Sequence, residues 1–92
     1  MSSVERRYSM EEFVSRGDSM YENVIRPQLK AGDNGKFAAI DIESGEFAVD
    51  ADELKAGNKL RKRVPGAQIW MVRVGYASTR RFGGRQVRLE LP

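Results

Sequence analysis

The sequence predicts an α+β fold: a small, four-stranded, mainly antiparallel sheet in ββαββ order with one packed helix and an N-terminal helical segment. Apolar residues recur at helical spacing before residue 30, and short apolar or alternating stretches bounded by turn residues follow. A second helix signal separates two pairs of such stretches. The 92 residues allow one domain, 1–92, with a flexible tail (1–8), a helical segment (9–30) and a ββαββ core (36–91).

The helical segment is predicted to begin at Ser9. Ser9 and Glu12 have the spacing of a capping box, in which each side chain bonds the backbone N–H of the other residue. The apolar residues after it fall on one helical stripe: Met10, Phe13, Val14, Met20, Tyr21, Val24, Ile25 and Leu29. We expect this stripe to pack on the sheet or on a neighbouring protomer.

Gly17 leaves two interpretations of this segment open. It is either one kinked helix or two short helices, the second beginning with Ser19 and Glu22 as another capping pair. Pro27 disfavours helical geometry at Arg26, so the regular helix is expected to end there.

The core is predicted to begin with a hairpin. A strand at 36–42 and a return strand at 47–49 are joined by a turn in which Gly45 is available for a positive φ. Ala67–Tyr76 is predicted to be a central strand with Trp70 buried, since it is apolar on both faces. Gln86–Leu91 alternates cleanly and is the fourth predicted strand.

The second helix is expected to start at Asp50. Asp50 and Glu53 have capping spacing, and Val49 and Leu54 have the spacing of a hydrophobic staple. Gly57 is unfavourable in a helix and is expected to allow a close approach to the sheet.

The composition argues against enzymatic activity. The chain has no histidine and no cysteine, which removes the usual general base, the thiol nucleophile and the commonest zinc ligands. The dense carboxylates have capping or turn roles that explain them without a metal: Asp41, Glu43, Asp50, Asp52 and Glu53. We therefore expect no catalytic residues, no metal site and no cofactor.

The location and the partners are constrained by apolar runs and by charge. No stretch has the length of a membrane span or of a signal peptide, so we expect a cytoplasmic protein that does not bind membranes. Residues 1–46 hold nine acidic and six basic residues (net −3), whereas residues 47–92 hold four and ten (net +6). This asymmetry indicates an acidic partner: nucleic acid, a protein, or the chain's own N-terminal half.

Two basic clusters are the candidate partner- or anion-binding sites. Lys55, Lys59, Lys62 and Arg63 fall on one side of the second helix. They are either a phosphate-binding face or a solvated face whose charges suit the helix C-terminus. A loop holds the second cluster: Arg80, Arg81, Phe82, Gly83, Gly84 and Arg85. It is either an anion-binding nest with guanidinium groups and a stacking ring, or a turn between two strands.

Several motifs together resemble a family of short uncharacterised bacterial proteins, common in cyanobacteria. The motifs are YENVIRPQ (21–28), GKFAAIDIESG (35–45), DEL (52–54), AQIW (67–70), RVG (73–75) and RFGG (81–84). Members of such families are often encoded beside a retroviral-type aspartic protease homologue, in an arrangement like a toxin–antitoxin pair. The chain lacks the Asp-Thr-Gly or Asp-Ser-Gly motif of that protease.

The resemblance implies a non-catalytic protein-binding or regulatory module, the antitoxin-like member of such a pair, with the aspartic-protease-like neighbour as its partner. The alternative is a nucleic-acid or phosphate binder that uses the two basic clusters. Because a chain of this length has a small core, we also expect a homodimer.

Overall fold

A computed structural model of the chain describes residues 8–76. Its main elements are α1 (Met10–Met20), β1 (Phe37–Asp41), β2 (Phe47–Asp50), α2 (Glu53–Arg63) and β3 (Ile69–Arg73). The α+β class is confirmed, with two helices and a three-stranded antiparallel sheet in this part of the chain. The predicted fourth strand, Gln86–Leu91, and with it the complete ββαββ order, lies outside the described residues.

The predicted capping box opens α1. Ser9 Oγ accepts a hydrogen bond from the backbone N–H of Glu12 (3.1 Å), and the Ser9 N–H donates to Glu12 Oε1 (3.2 Å). The helical segment is then continuous, because α1 passes into a π-helical turn, Tyr21–Ile25, and a 3₁₀ turn, Arg26–Gln28. Of the two interpretations, the single helical segment is correct, and its winding changes after Met20.

The second capping pair does not form. Met20, which precedes the π-helical turn, has helical backbone angles, so the backbone does not break there. Ser19 Oγ instead accepts a hydrogen bond from the Asn23 side-chain amide (3.2 Å).

Gly17 allows α1 to lie directly on Trp70. A Cβ built on Gly17 would stand 2.1 Å from Trp70 Cγ, which no side chain could occupy. The Phe13 ring meets the same indole edge to face, with 6.2 Å between ring centroids. Trp70 is thus covered by α1, although it is partly buried rather than fully buried as expected.

The central strand among the described residues is β1, whereas the strand predicted to lie on the other side of β3, Gln86–Leu91, is outside them. The order is β2-β1-β3, and β1 pairs antiparallel with both neighbours. Ala38, Ala39 and Ile40 are fully buried because both faces of β1 are covered.

Each face of the sheet carries its own core layer. The N-terminal helical segment covers one face and buries Tyr21 and Ile25 against Ile40 and Val74. Helix α2 covers the other face, where Leu60 and Ala56 pack on Ala39 and its neighbours. The apolar stripe of the helical segment therefore packs on the chain's own sheet, and only Met10 and Val24 remain exposed.

Asp52, and not Asp50, is the N-cap of α2. Asp50 is still paired with Phe37 in the sheet, so the chain turns into the helix only two residues later. Asp52 Oδ1 then accepts hydrogen bonds from the backbone N–H groups of Leu54 (2.9 Å) and Lys55 (3.3 Å). Leu54 is 71% exposed, so the expected staple is wrong as well.

Candidate binding groove at the edge of strand β2

Only one of the two predicted basic clusters lies within the described residues. Arg80, Arg81, Phe82, Gly83, Gly84 and Arg85 lie outside the described residues. Lys55, Lys59, Lys62 and Arg63 are all on α2, and all four are exposed. The candidate site is therefore built from α2 and the strand beside it.

Lys59 connects α2 to the end of β2. Its ammonium group lies 2.9 Å from Asp50 Oδ2 and donates a hydrogen bond to the backbone carbonyl of Val49 (3.3 Å). The Asp50 carboxylate also accepts a hydrogen bond from the Asp52 N–H (2.8 Å). This N–H first, and then Lys59, hold the pKa of the Asp50 carboxyl below its usual range. The ion pair is therefore present at neutral pH.

Arg63 makes the corresponding contact one helical turn later. Its guanidinium donates a hydrogen bond to the backbone carbonyl of Phe47. Residues four apart on a helix are separated by about 6 Å along its axis, and residues two apart on a strand by about 6.8 Å. The spacing of Lys59 and Arg63 along α2 therefore equals that of the Val49 and Phe47 carbonyls along β2. Because α2 runs antiparallel to β2, Lys59 reaches Val49 and Arg63 reaches Phe47.

A groove lies between β2 and this side of α2. Its volume is about 520 Å³. Phe47, Ala48 and Val49 line it from the strand, and three cations line it from the helix: Lys59, Lys62 and Arg63. An apolar strand edge beside three cations is suited to a segment that is both apolar and acidic.

Lys62 and Lys55 have different places relative to this groove. Lys62 lines it and makes no hydrogen bond or ion pair within residues 8–76. Lys55 is not part of its lining and lies toward the start of α2. Lys59 and Arg63 thus contact the strand and Lys62 lines the groove, while Lys55 lines a neighbouring cavity together with Lys59 and Lys62.

The carboxylates of the core have structural roles. The buried Asp41 carboxylate accepts hydrogen bonds from the Ser44 hydroxyl (2.8 Å), the Gln68 N–H (3.0 Å) and the N–H groups of Glu43 and Ser44 (both 3.3 Å). It thus joins the hairpin turn to the connection between α2 and β3. In the part of the chain that the structure describes, no three metal-ligating side chains are grouped to hold an ion.

Neither known protein families, nor curated proteins, nor solved structures yield a significant match to this chain. Over residues 8–76, no helix has the length and apolar character that crossing a membrane requires.

Sequence reasoning found the helix side of the groove and missed the strand side. Phe47, Ala48 and Val49 were predicted as a strand, but nothing in their pattern indicates that their outer edge faces α2. The i, i+4 spacing of Lys59 and Arg63 is a signal that could have suggested a match to alternate residues of a neighbouring strand.

Proposed function

We propose that the domain is a non-catalytic binding module whose partner is a protein with an acidic surface segment. The observation that supports this most is the groove lined by Phe47, Ala48 and Val49 on one side and by Lys59, Lys62 and Arg63 on the other. The strand offers apolar area and the helix offers positive charge, so an acidic segment with apolar residues complements both walls.

The groove favours a protein over a nucleic acid. A phosphate backbone is bound by cations that are free to follow it, with little need for an apolar wall. Here Lys59 and Arg63 are directed to carbonyl oxygens of β2. Lys55 and Lys62 form no ion pair within residues 8–76. Because these two cations could bind phosphate groups, nucleic-acid or phosphate binding is the second hypothesis.

The partner to test first is the aspartic-protease-like protein that the family resemblance implies. In that case the domain has the antitoxin-like role, and it acts by binding its neighbour rather than by chemistry of its own. The groove adds a requirement that this partner must meet, namely an acidic segment on its surface.

Titration calorimetry of the chain with that neighbouring gene product tests the proposal. Lys62→Glu reverses one charge in the groove without breaking a contact inside residues 8–76. Arg61→Glu is the matched control, because Arg61 lies on the same helix, bonds only Asn58 among residues 8–76 and does not line the groove. We expect Lys62→Glu to weaken binding about tenfold or more and Arg61→Glu to have little effect. If the two variants change the affinity equally, the partner does not bind in the groove.

Heparin chromatography and a nuclease-treated pull-down from the native host test the second hypothesis. A nucleic-acid binder elutes late and with a steep dependence on salt, because it releases counterions. Replacing Arg80, Arg81 and Arg85 with glutamine should then make the salt slope shallower by up to about three units. Partners that survive the nuclease support protein binding, whereas partners that are lost support nucleic acid.

A further inference from the structure

Within residues 8–76, β2 is an edge strand, and its outer edge is closed by side chains of the chain's own helix α2. The carbonyl of Glu46 points toward β1, where it accepts a hydrogen bond from the Asp41 N–H (2.9 Å). Because successive carbonyls of a strand point in opposite directions, those of Phe47 and Val49 point away from the sheet. These are the two carbonyls to which Arg63 and Lys59 donate.

The two cations therefore stand where the N–H groups of a further strand would lie. Proteins often protect an exposed strand edge with charged side chains, since unpaired backbone groups otherwise attract another strand. Here the protection is reversible in principle, because the Lys59 side chain is 56% exposed and contacts of this kind are weak in water.

The side chains beside this edge define which strand could replace the two cations. Phe47 and Val49 direct their side chains to the face covered by the N-terminal helical segment, and Ala48 directs its side chain to the face covered by α2. Residues opposite each other on paired strands share a face. An added strand would thus place apolar residues opposite Phe47 and Val49, and an acidic residue opposite Ala48, near the released cations.

On the basis of the proposed function, we infer that the partner's acidic segment binds as an additional β-strand along β2. Its N–H groups replace Lys59 and Arg63 at the carbonyls of Val49 and Phe47, and its carboxylates take up the two released cations and Lys62. The segment alternates apolar and acidic residues. Neutral strands are disfavoured because they leave the cations without a new partner.

Short labelled peptides test this inference by fluorescence anisotropy at neutral pH. The first alternates valine and glutamate, the second has the same side chains with N-methyl groups on alternate backbone nitrogens, and the third alternates valine and threonine. The methylated peptide is made in both alternate frames, so that one of the two has methyl groups on the nitrogens that face β2. We expect the unmethylated acidic peptide to bind, and that methylated peptide to bind about tenfold more weakly, since strand addition depends on backbone hydrogen bonds. The neutral peptide should bind weakly to the wild-type chain.

The double variant Lys59→Ala, Arg63→Ala supplies a readout that simple charge attraction would not produce. It removes the closure of the edge together with the charge, so it should lose affinity for the acidic peptide and gain affinity for the neutral one. Arg61→Ala removes one positive charge from the same helix and should change neither affinity. Circular dichroism confirms that each variant is folded before binding is compared.

The outcomes separate this inference from the proposed function. If both methylated peptides bind as well as the unmethylated acidic peptide, strand addition is overturned. The proposed binding of an acidic segment in the groove would then still stand. A double variant that loses the acidic peptide without gaining the neutral one also overturns strand addition. No binding of the acidic peptide to the wild-type chain overturns both.

Discussion

Asp41 is a buried residue whose ionisation matters to the described fold. It is 2% exposed, and its carboxylate is held by four hydrogen-bond donors. Burial by itself would raise the pKa of this carboxyl, but the donors from Ser44, Gln68 and Glu43 outweigh burial and the net pKa is lowered from 3.8. The ionised form is therefore the one that the fold stabilises.

We predict that acid weakens the fold through Asp41. Because the folded pKa is below the ordinary value of 3.8, the stabilisation is fully present above that value and is lost as pH falls through the folded pKa. Asp41→Asn should cost about 1–3 kcal/mol at pH 7, since the amide turns a donor toward the donors of Ser44. It should also flatten the dependence of stability on pH below about 4.

Urea denaturation at pH 7 and at pH 3 measures this prediction. Asp18→Asn on α1 is the matched control, because the Asp18 carboxylate makes no hydrogen bond or ion pair within residues 8–76. If Asp41→Asn retains the wild-type acid dependence, the buried carboxylate is not the group that responds to pH.

The two helical glycines should respond to alanine in opposite directions. Alanine is normally about 1 kcal/mol more favourable than glycine inside a helix. At Gly17 the new methyl group would overlap Trp70, and we expect destabilisation of about 1–3 kcal/mol from overpacking. At Gly57 it would stand 3.3 Å from Arg61 Nη1 and 3.7 Å from Met71 Cε, both ends of flexible side chains. Gly57→Ala should therefore stabilise the fold, by up to about 1 kcal/mol.

Chemical denaturation of the two variants decides between close packing and simple helix propensity. Propensity alone would stabilise both proteins. Stabilisation by Gly17→Ala would mean that α1 does not lie on Trp70 as described.

At the scale of the element, two nearby aspartates have different roles at the start of α2. Asp52→Ala removes the N-cap and should cost about 1 kcal/mol. Asp50→Ala leaves the cap in place and removes only exposed contacts, the ion pair to Lys59 and the hydrogen bond from the Asp52 N–H, so its effect on the free energy of unfolding should be smaller. Denaturation curves of both variants give the order directly, and a larger loss for Asp50→Ala would show that the helix begins with Asp50.

The helical segment before the sheet shows how an element can change its winding to satisfy packing. The N–H of Arg26 bonds the carbonyl of Tyr21, five residues earlier, which widens the helix just before Pro27. Tyr21 and Ile25 are both buried on the sheet in this arrangement. Proline cannot donate the hydrogen bond that would continue the helix, so the wider turn and the 3₁₀ turn end the segment.

For the whole molecule we predict self-association, most simply as a dimer. A chain of 92 residues buries a limited fraction of its surface, and Met10 (49% exposed) and Val24 (47% exposed) leave apolar area on the helical segment. Val24→Glu should weaken the dimer, whereas Ser15→Glu, on an exposed polar position of α1, should not. Light scattering tests this, and a monomer at high micromolar concentration would contradict it.

Features that depend on neighbouring residues were predictable from the sequence. The capping box at Ser9, the hairpin with its Gly45 turn and the presence of α2 all rest on spacings of a few residues, within which backbone geometry leaves few choices. The basic side of α2 was predictable for the same reason. Helical periodicity places Lys59, Lys62 and Arg63 near one another whatever the rest of the fold does.

Features that depend on distant residues required the packed structure. The spacing of Asp50 and Glu53 predicted a cap at Asp50, and only the pairing of Asp50 with Phe37 in the sheet moves the cap to Asp52. The strand order, the contact of Gly17 with Trp70 and the closure of the β2 edge by Lys59 and Arg63 join residues far apart in the chain. Such contacts are set by how the layers pack, which no local spacing encodes.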